Sequence, residues 1–332
     1  MICSRCVLPE SKPDIWLDGE GICNVCREAE KSKAEIENIK PLESDFVKII
    51  NKYKGKFKYE CLVMCSGGKD STSTLYYMKK RYKLNPLAFT FDHGFETEDA
   101  MENVRNAVEI LGIDWLFFRT DYMKDMFARI IKSRSKAVIC HLCSIWYMQL
   151  TFDIAARYDI PIIIGGWTKG QSTTQGVMTK CACNISSPEY VSMSLATRDF
   201  LATLTNDPKY KDFPVSMEEL LIKANKRHKS MALSPHWFLD VSAEEYVDML
   251  QRELNWKYPR LSYPAKTTNC YLNFLSVHNS LKYYGYSHYH VEMSKMIRAN
   301  LMTREEALAD LAVNYDRQLL DEIGGKLGCK ID

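Results

Sequence analysis

The 332 residues predict an α/β protein built on a doubly wound parallel sheet, with a small cysteine-paired module first and a helical region last. Three observations predict it. Apolar strand-like runs alternate with helix-like runs from 59 to 167. The first of those strands opens into Ser66-Gly67-Gly68-Lys69-Asp70-Ser71, which runs directly into a helix pattern. Residues 1–28 are turn-rich, carry C-x-x-C twice, and hold no apolar period long enough for a core. Alternating strands and helices cover both faces of a parallel sheet and leave ligands at the carboxyl ends of the strands.

The elements follow in order. Tyr59 to Cys65 is a strand, followed by glycines and a helix from about Ser71 to Tyr82. Asn85-Pro86 turns into a strand, Leu87 to Phe91. Thr97 caps a helix that runs to Leu111 and ends at Gly112. Trp115 to Phe118 is a third strand, Ser144 to Tyr158 a helix, and Pro161 to Ile164 a fourth strand that ends in Gly165-Gly166. Four segments result: a ribbon over 1–28, a charged helical connector over 29–58, the sheet domain over 59–170, and a mostly helical region over 171–332. In the last, 170 to about 262 reads as an insertion that lids the site. It is loop-like from Gly170 to Pro188 and helical over Met217 to Met231 and Ser242 to Leu254. Cys270 to Tyr284 is helical, and Thr303-Arg304-Glu305-Glu306 opens a final helix as a capping box.

Composition excludes some classes. Lys+Arg 44 against Asp+Glu 42 leaves +2, so no global field recruits nucleic acid. The longest strongly apolar run, Ile160 to Trp167, is far too short to span a bilayer, and Cys3 and Cys6 stand where a leader would begin. A soluble, cytoplasmic protein is expected. Twelve cysteines are many for one, and eight fall in short pairs, a spacing that points to metal in a reducing compartment.

In the loop at 66–71, glycines let the backbone approach an anion, free N–H groups point at it, and the helix dipole adds favourable charge. Lys69 can neutralise phosphate, Ser66, Ser71 and Thr72 can donate hydroxyls, and Asp70 suits loop orientation or Mg²⁺. The alternative is a Gly-Gly turn beside an incidental lysine, but strand, loop and helix agree on a phosphate site. Asp92 and His93 follow the second strand where adenine and ribose would lie, or else start the next helix. Gly165 and Gly166 let adenine approach the fourth strand, and Lys169 and Arg298 are further phosphate candidates.

Cys3, Cys6, Cys23 and Cys26 are spaced as a zinc ribbon, four thiolates satisfying a closed tetrahedral ion; two labile disulfides are the alternative. Cys140 and Cys143 stand just before a helix on the strand-end side of the sheet. Two thiolates make a poor metal site, and Cys270 supplies a third. Three cysteines can hold a four-iron, four-sulfur cluster and leave one iron open. Cys181 and Cys183 are rivals for the third place or persulfide carriers themselves. A second zinc completed by His141 or the Cys181/Cys183 pair, and inert buried cysteines, stay open as readings. His288 and His290, in the aromatic stretch from Tyr283, are acid/base candidates.

Ser66 to Ser71 resembles the motif of the PP-loop ATP pyrophosphatases, whose HUP-like fold binds ATP and whose chemistry adenylates a carbonyl oxygen with release of pyrophosphate. The cysteine pattern resembles that of PP-loop transfer RNA thiolases. Cys3-x-x-Cys6-Val7-Leu8-Pro9, Asp18 to Cys23, Tyr284-Gly285-Tyr286, Ile297-Arg298 and Met302 to Ala307 resemble N-acetyl sugar amidotransferases over most of the chain. The likeness to amidotransferases implies amidation with ammonia from a glutaminase partner, whereas Cys140, Cys143 and Cys270 depart from that pattern. The leading expectation is adenylation followed by sulfur transfer from a cluster or persulfide. It involves ATP, Mg²⁺, zinc and a 4Fe-4S cluster, a small-molecule or RNA substrate, a sulfur donor, and a homodimer as a possible assembly. Amidation and a non-catalytic ATP-binding module are the alternatives.

Overall fold

A computed structural model describes residues 1–36, 42–168, 188–227, 230–267 and 269–332. Five strands form one sheet: β1 (Cys61–Met64), β2 (Pro86–Asp92), β3 (Asp114–Arg119), β4 (Ile162–Ile164) and β5 (Met231–Leu233). Their order is β3-β2-β1-β4-β5 and every pairing is parallel. The expected fold class is the one observed.

The helices, in chain order, are α1 (Asn24–Ile36), α2 (Glu43–Asn51), α3 (Lys69–Tyr76), α4 (Glu98–Leu111), α5 (Lys124–Lys132), α6 (Ile139–Arg157) and α7 (Val191–Leu204). They continue with α8 (Met217–Arg227), α9 (Ala243–Leu254), α10 (Leu272–Tyr284), α11 (His288–Arg298), α12 (Arg304–Asp310) and α13 (Arg317–Leu327). Among the described residues, no helix is long and apolar enough to cross a membrane.

Strand side chains alternate between faces, and the two faces carry separate cores. Leu62, Met64, Phe89 and Phe91 pack with α5, α6, α7, α8, α10 and α13, represented by Phe127, Ile145, Leu201, Leu220, Phe274 and Ile323. Cys61, Val63, Cys65 and Ala88 pack with α2, α3, α4 and α9 through Ile50, Leu75, Val104 and Leu250. Cys61 and Cys65 are therefore core residues, and burial pushes the Cys65 thiol up to about 11.

Local signals set several ends. Thr97 accepts the Ala100 N–H at 3.2 Å, and Gly112 closes α4 in the left-handed region at φ 60°. Other boundaries differ from expectation. α6 begins at Ile139, ahead of Ser144, so Cys140 and Cys143 lie in its first turns. No side chain of its own caps it. Instead Thr197 of α7 accepts the Val138 N–H at 3.0 Å, and Ser276 of α10 accepts the Cys140 N–H at 3.2 Å. Met231 begins β5 and does not end a helix, so the chain returns to the sheet between α8 and α9. The capping box at Thr303 opens α12, and α13 follows it. β3 forms a sheet edge with Phe117 and Phe118 exposed.

The N-terminal module does not stand apart. Leu8, Ile15 and Val25 share a core with Val138, Tyr190, Met193, Tyr286 and Val291. Arg304 donates to the carbonyls of Cys3 and Cys6 at 3.1 Å, Val7 N–H donates to Ser294, and Ser192 N–H to Asp14. The segment is thus wedged beside the start of α6.

Candidate active site

β1 and β4 are neighbours although their connections leave in opposite directions, which makes the gap beyond their carboxyl ends the switch point of the sheet. The loop at 66–68 follows β1 and the glycines at 165–166 follow β4, so both meet there. Gly67 has φ +80°, and a Cβ on it would sit 2.1 Å from the Ala100 carbonyl oxygen. A Cβ on Gly166 would sit 2.6 Å from the Ser71 nitrogen. Both positions need glycine for that reason.

The loop is tied from several sides. Ser71 Oγ accepts the Ser66 N–H at 3.1 Å and donates to the Gly68 carbonyl at 3.2 Å. Asn103 and Trp256 donate to the Gly67 carbonyl at 3.2 and 2.8 Å. Tyr246 donates to Asp70, and His236 lies 3.1 Å from the Asp70 carbonyl. These supports lie far away in sequence, and no sequence motif marked them. With its turn held and α3 starting at Lys69, the loop is pre-formed at a helix N-terminus, a geometry suited to an anion.

A cavity of ≈ 450 Å³ opens on this loop, lined by Ser66, Gly68, Asp70, Ser71, Gly165 and Gly166. Cys140, Cys143 and Cys270 line the same cavity, together with His93, Glu96, Asn269, His288 and Glu292. The sequence-predicted loop and the three predicted cysteines therefore converge on one space. Gly67, Lys69, Thr72 and Asp92 are not on its wall. The Lys69 ammonium pairs with Asp70 at 2.8 Å. Thr72 is wholly buried behind the loop. Asp92 accepts the Gly94 N–H at 2.6 Å and faces Arg119 at 3.6 Å, which makes it a turn-former after β2. Arg298 pairs with Glu189 at 3.7 Å, and His290 caps α11 by accepting the Ser287 N–H at 3.2 Å. Cys181, Cys183 and Lys169 lie outside the described residues.

Burial favours the uncharged forms of several groups on the cavity wall. Desolvation holds His93 down to about 4 and lifts Glu96 well above the carboxylate range. It also pushes Cys140 up to about 11 and raises Cys143 and Cys270 well above the ordinary thiol range. Such thiols become nucleophiles or ligands only when a cation or an electrophile compensates the thiolate.

No family model matches the chain. It is 24% identical over 312 residues to an uncharacterized protein of Methanocaldococcus jannaschii, covering 94% of this chain and 93% of that one. Among solved structures it is similar to the NH3-dependent NAD synthetase of Campylobacter jejuni (TM-score 0.32, 14% identity, 55% of this chain and 90% of that one). It is also similar to a predicted subunit of tRNA methyltransferase from M. jannaschii (TM-score 0.31, 15% identity, 69% and 90%). A third is NMN synthetase from Francisella tularensis (TM-score 0.32, 15% identity, 75% and 93%). Likeness at this level says nothing of activity.

Two groups among the described residues can hold a metal ion. Cys3, Cys6, Cys23 and Cys26 are buried with their sulfurs all within 4.8 Å of one another. The Cys6 and Cys23 sulfurs are 3.7 Å apart, close to the edge of about 3.8 Å that a tetrahedral ion with Zn–S bonds of about 2.3 Å requires. The Cys3 sulfur also accepts the Arg5 and Cys23 N–H groups at 3.4 and 3.3 Å, which favours its thiolate. The second group is His93, Glu96 and Cys270. Three thiols on one wall are the donor set that an open-sited cluster needs. Cys270 also has its sulfur 3.7 Å from His93 Nε2, within hydrogen-bond reach of sulfur and close to the edge between two ligands of a single ion.

Proposed function

We propose that this chain uses ATP to adenylate a carbonyl or amide oxygen of its substrate, releases pyrophosphate, and replaces that oxygen with sulfur delivered from Cys140 and Cys143. One observation carries the reading: the phosphate cradle and the cysteine pair line the same cavity. The substrate oxygen attacks the α-phosphorus, pyrophosphate leaves, and a sulfur nucleophile then attacks the activated carbon while AMP departs with the oxygen. Loop N–H groups and the α3 dipole support the triphosphate. Mg²⁺ accompanies the nucleotide as its counter-ion. Lys69 must exchange Asp70 for phosphate, a swap within reach of its flexible side chain. Cys140 receives sulfane sulfur from a persulfide donor and carries it as its own persulfide. Once the outer sulfur has bonded to the carbon, Cys143, one turn away, attacks the Cys140 sulfur, releasing the thiolated product and leaving a Cys140–Cys143 disulfide for an external thiol to reduce. Zinc in the four-cysteine module is structural, since four thiolates leave no open position. The net charge of +2 supports a small-molecule substrate over RNA.

The test uses anaerobically purified full-length protein with ATP and a panel of acetamido sugars and thiolatable amides. Pyrophosphate release should fall at least tenfold in Lys69→Ala. Cyanide-labile sulfur and the thiolated product should vanish in Cys140→Ala, with ATP binding intact. Product nitrogen that depends on glutamine or ammonia would replace sulfur transfer with amidation. Iron and acid-labile sulfide lost together in Cys140→Ala and Cys270→Ala would replace the persulfide with a four-iron, four-sulfur cluster.

A further inference from the structure

We propose that His93, Glu96 and Cys270 form a mononuclear site for a divalent ion of the zinc class, opening onto the cavity that the phosphate loop lines. It stands independently of sulfur transfer and concerns an ion separate from the one in the ribbon.

Geometry carries it. Cys270 Sγ lies 3.7 Å and Glu96 Oε1 3.5 Å from the same atom, His93 Nε2, and all three ligand atoms are within 4.8 Å of one another. Tetrahedral coordination with bonds of about 2.0–2.3 Å to nitrogen, oxygen and sulfur places ligand atoms about 3.4–3.6 Å apart. The four-cysteine module provides an internal reference, its Cys6–Cys23 edge being 3.7 Å. The His93–Glu96 separation is long for an N–H···O bond, whose usual length is about 2.9 Å. An ion accounts for both separations at once.

The three residues are held in place by backbone and packing. Glu96 and Cys270 face each other across an isolated antiparallel bridge. Thr97 N–H donates to the Asn269 carbonyl at 2.8 Å and Tyr271 N–H to the Phe95 carbonyl at 2.9 Å, closing the bridge on both sides. The His93 ring is set edge-on against Phe91 and Phe127, at 5.8 and 5.6 Å between centroids. The neighbouring carboxylate, Asp92, is occupied by Gly94 and Arg119 and stays out of the set. One nitrogen, one oxygen and one sulfur ligand suit zinc better than magnesium or calcium, which prefer all-oxygen shells. All three line the cavity, so the remaining tetrahedral position faces it and is open to a substrate donor atom, the arrangement of catalytic ions. Cys270 then no longer serves a cluster with Cys140 and Cys143.

The experiment counts metal in the full-length protein after zinc loading and exhaustive dialysis. Wild type should hold one equivalent beyond that of the four-cysteine module. His93→Ala and Glu96→Gln should each lose that equivalent, His93→Cys should keep it, and Cys140→Ala should leave it untouched. Circular dichroism and retention of the module's own zinc confirm that each variant folds. Equal zinc in wild type and His93→Ala overturns the site, as does a second equivalent, or iron with sulfide, that depends on Cys140. Zinc counts in the His93 and Glu96 variants do not report on sulfur transfer, which the thiolated product reads separately.

Discussion

Replacing Gly67 with alanine tests the loop most directly, because structure separates the two costs involved. A left-handed φ of +80° strains any L-residue by about 1–2 kcal/mol. A Cβ there would also meet the Ala100 carbonyl oxygen at 2.1 Å and its carbon at 2.7 Å. Those are backbone atoms of α4, which the Thr97 cap fixes, so relief requires moving a helix. Overpacking of that kind costs about 1–3 kcal/mol. The shorter list of unfolded conformations for alanine returns about 0.4–1 kcal/mol. Gly67→Ala should therefore destabilise the protein by about 1–5 kcal/mol. Two other glycines divide the sum. Gly55 has φ +74° with nothing within 4 Å of a Cβ, so Gly55→Ala isolates the strain, a net of about 1 kcal/mol or less. Gly166 has no positive φ but meets Ser71 N at 2.6 Å, so Gly166→Ala isolates the contact. Urea unfolding at constant slope measures all three. If Gly67→Ala is no more destabilising than Gly55→Ala, the claimed contact between the loop and α4 is refuted. ATP titration of Gly166→Ala adds a functional reading, since separating the β4 glycines from α3 should weaken nucleotide binding well beyond any loss of stability.

Three further outcomes are expected. Thr197→Val removes the acceptor of the Val138 N–H at nearly constant shape, and an unsatisfied donor at the buried start of α6 should cost about 1–3 kcal/mol in urea. Stripping metal from the four-cysteine module with a chelator should loosen Val138, Tyr190 and Met193 as well as the ribbon; amide exchange at the start of α6 should accelerate, and unchanged exchange there would show the module to be uncoupled. His290, held down to about 4 by burial, stays neutral in the fold while the unfolded chain protonates near 6.5. Its contribution is complete above pH 6.5 and falls as pH drops towards 4, by about 3 kcal/mol in all, so His290→Gln should lower the slope of stability against pH between those limits by about one proton, the other buried histidines keeping the rest.

What the sequence discloses depends on how local the cause is. The strand, glycine turn and helix around residues 61–76 are fixed by nearest neighbours, and so are the Thr97 cap and the Gly112 stop of α4. The four-cysteine module is equally legible, because C-x-x-C spacing is itself the geometry of a knuckle. Elements held by distant partners are not legible. β5 has three residues, too few for a period, and exists because β4 offers it an edge. α6 starts behind an apolar N-cap, Val138, because Thr197 and Ser276 supply the capping acceptors from other helices. The same reasoning explains the site. Cys140, Cys143 and Cys270 stood out as chemistry-bearing residues, yet Glu96 did not. Its carboxyl looks like an ordinary solvated charge just ahead of a helix, until the bridge to Cys270 carries it into a dry wall beside His93. Lys69 shows the converse: the motif marks it for phosphate, and the fold pairs it with its neighbour Asp70. A loop motif thus marks the turn between β1 and α3, while the groups that share its cavity and the supports behind it are decided by contacts between segments more than a hundred residues apart, such as Glu96 with Cys270 and Gly67 with Trp256.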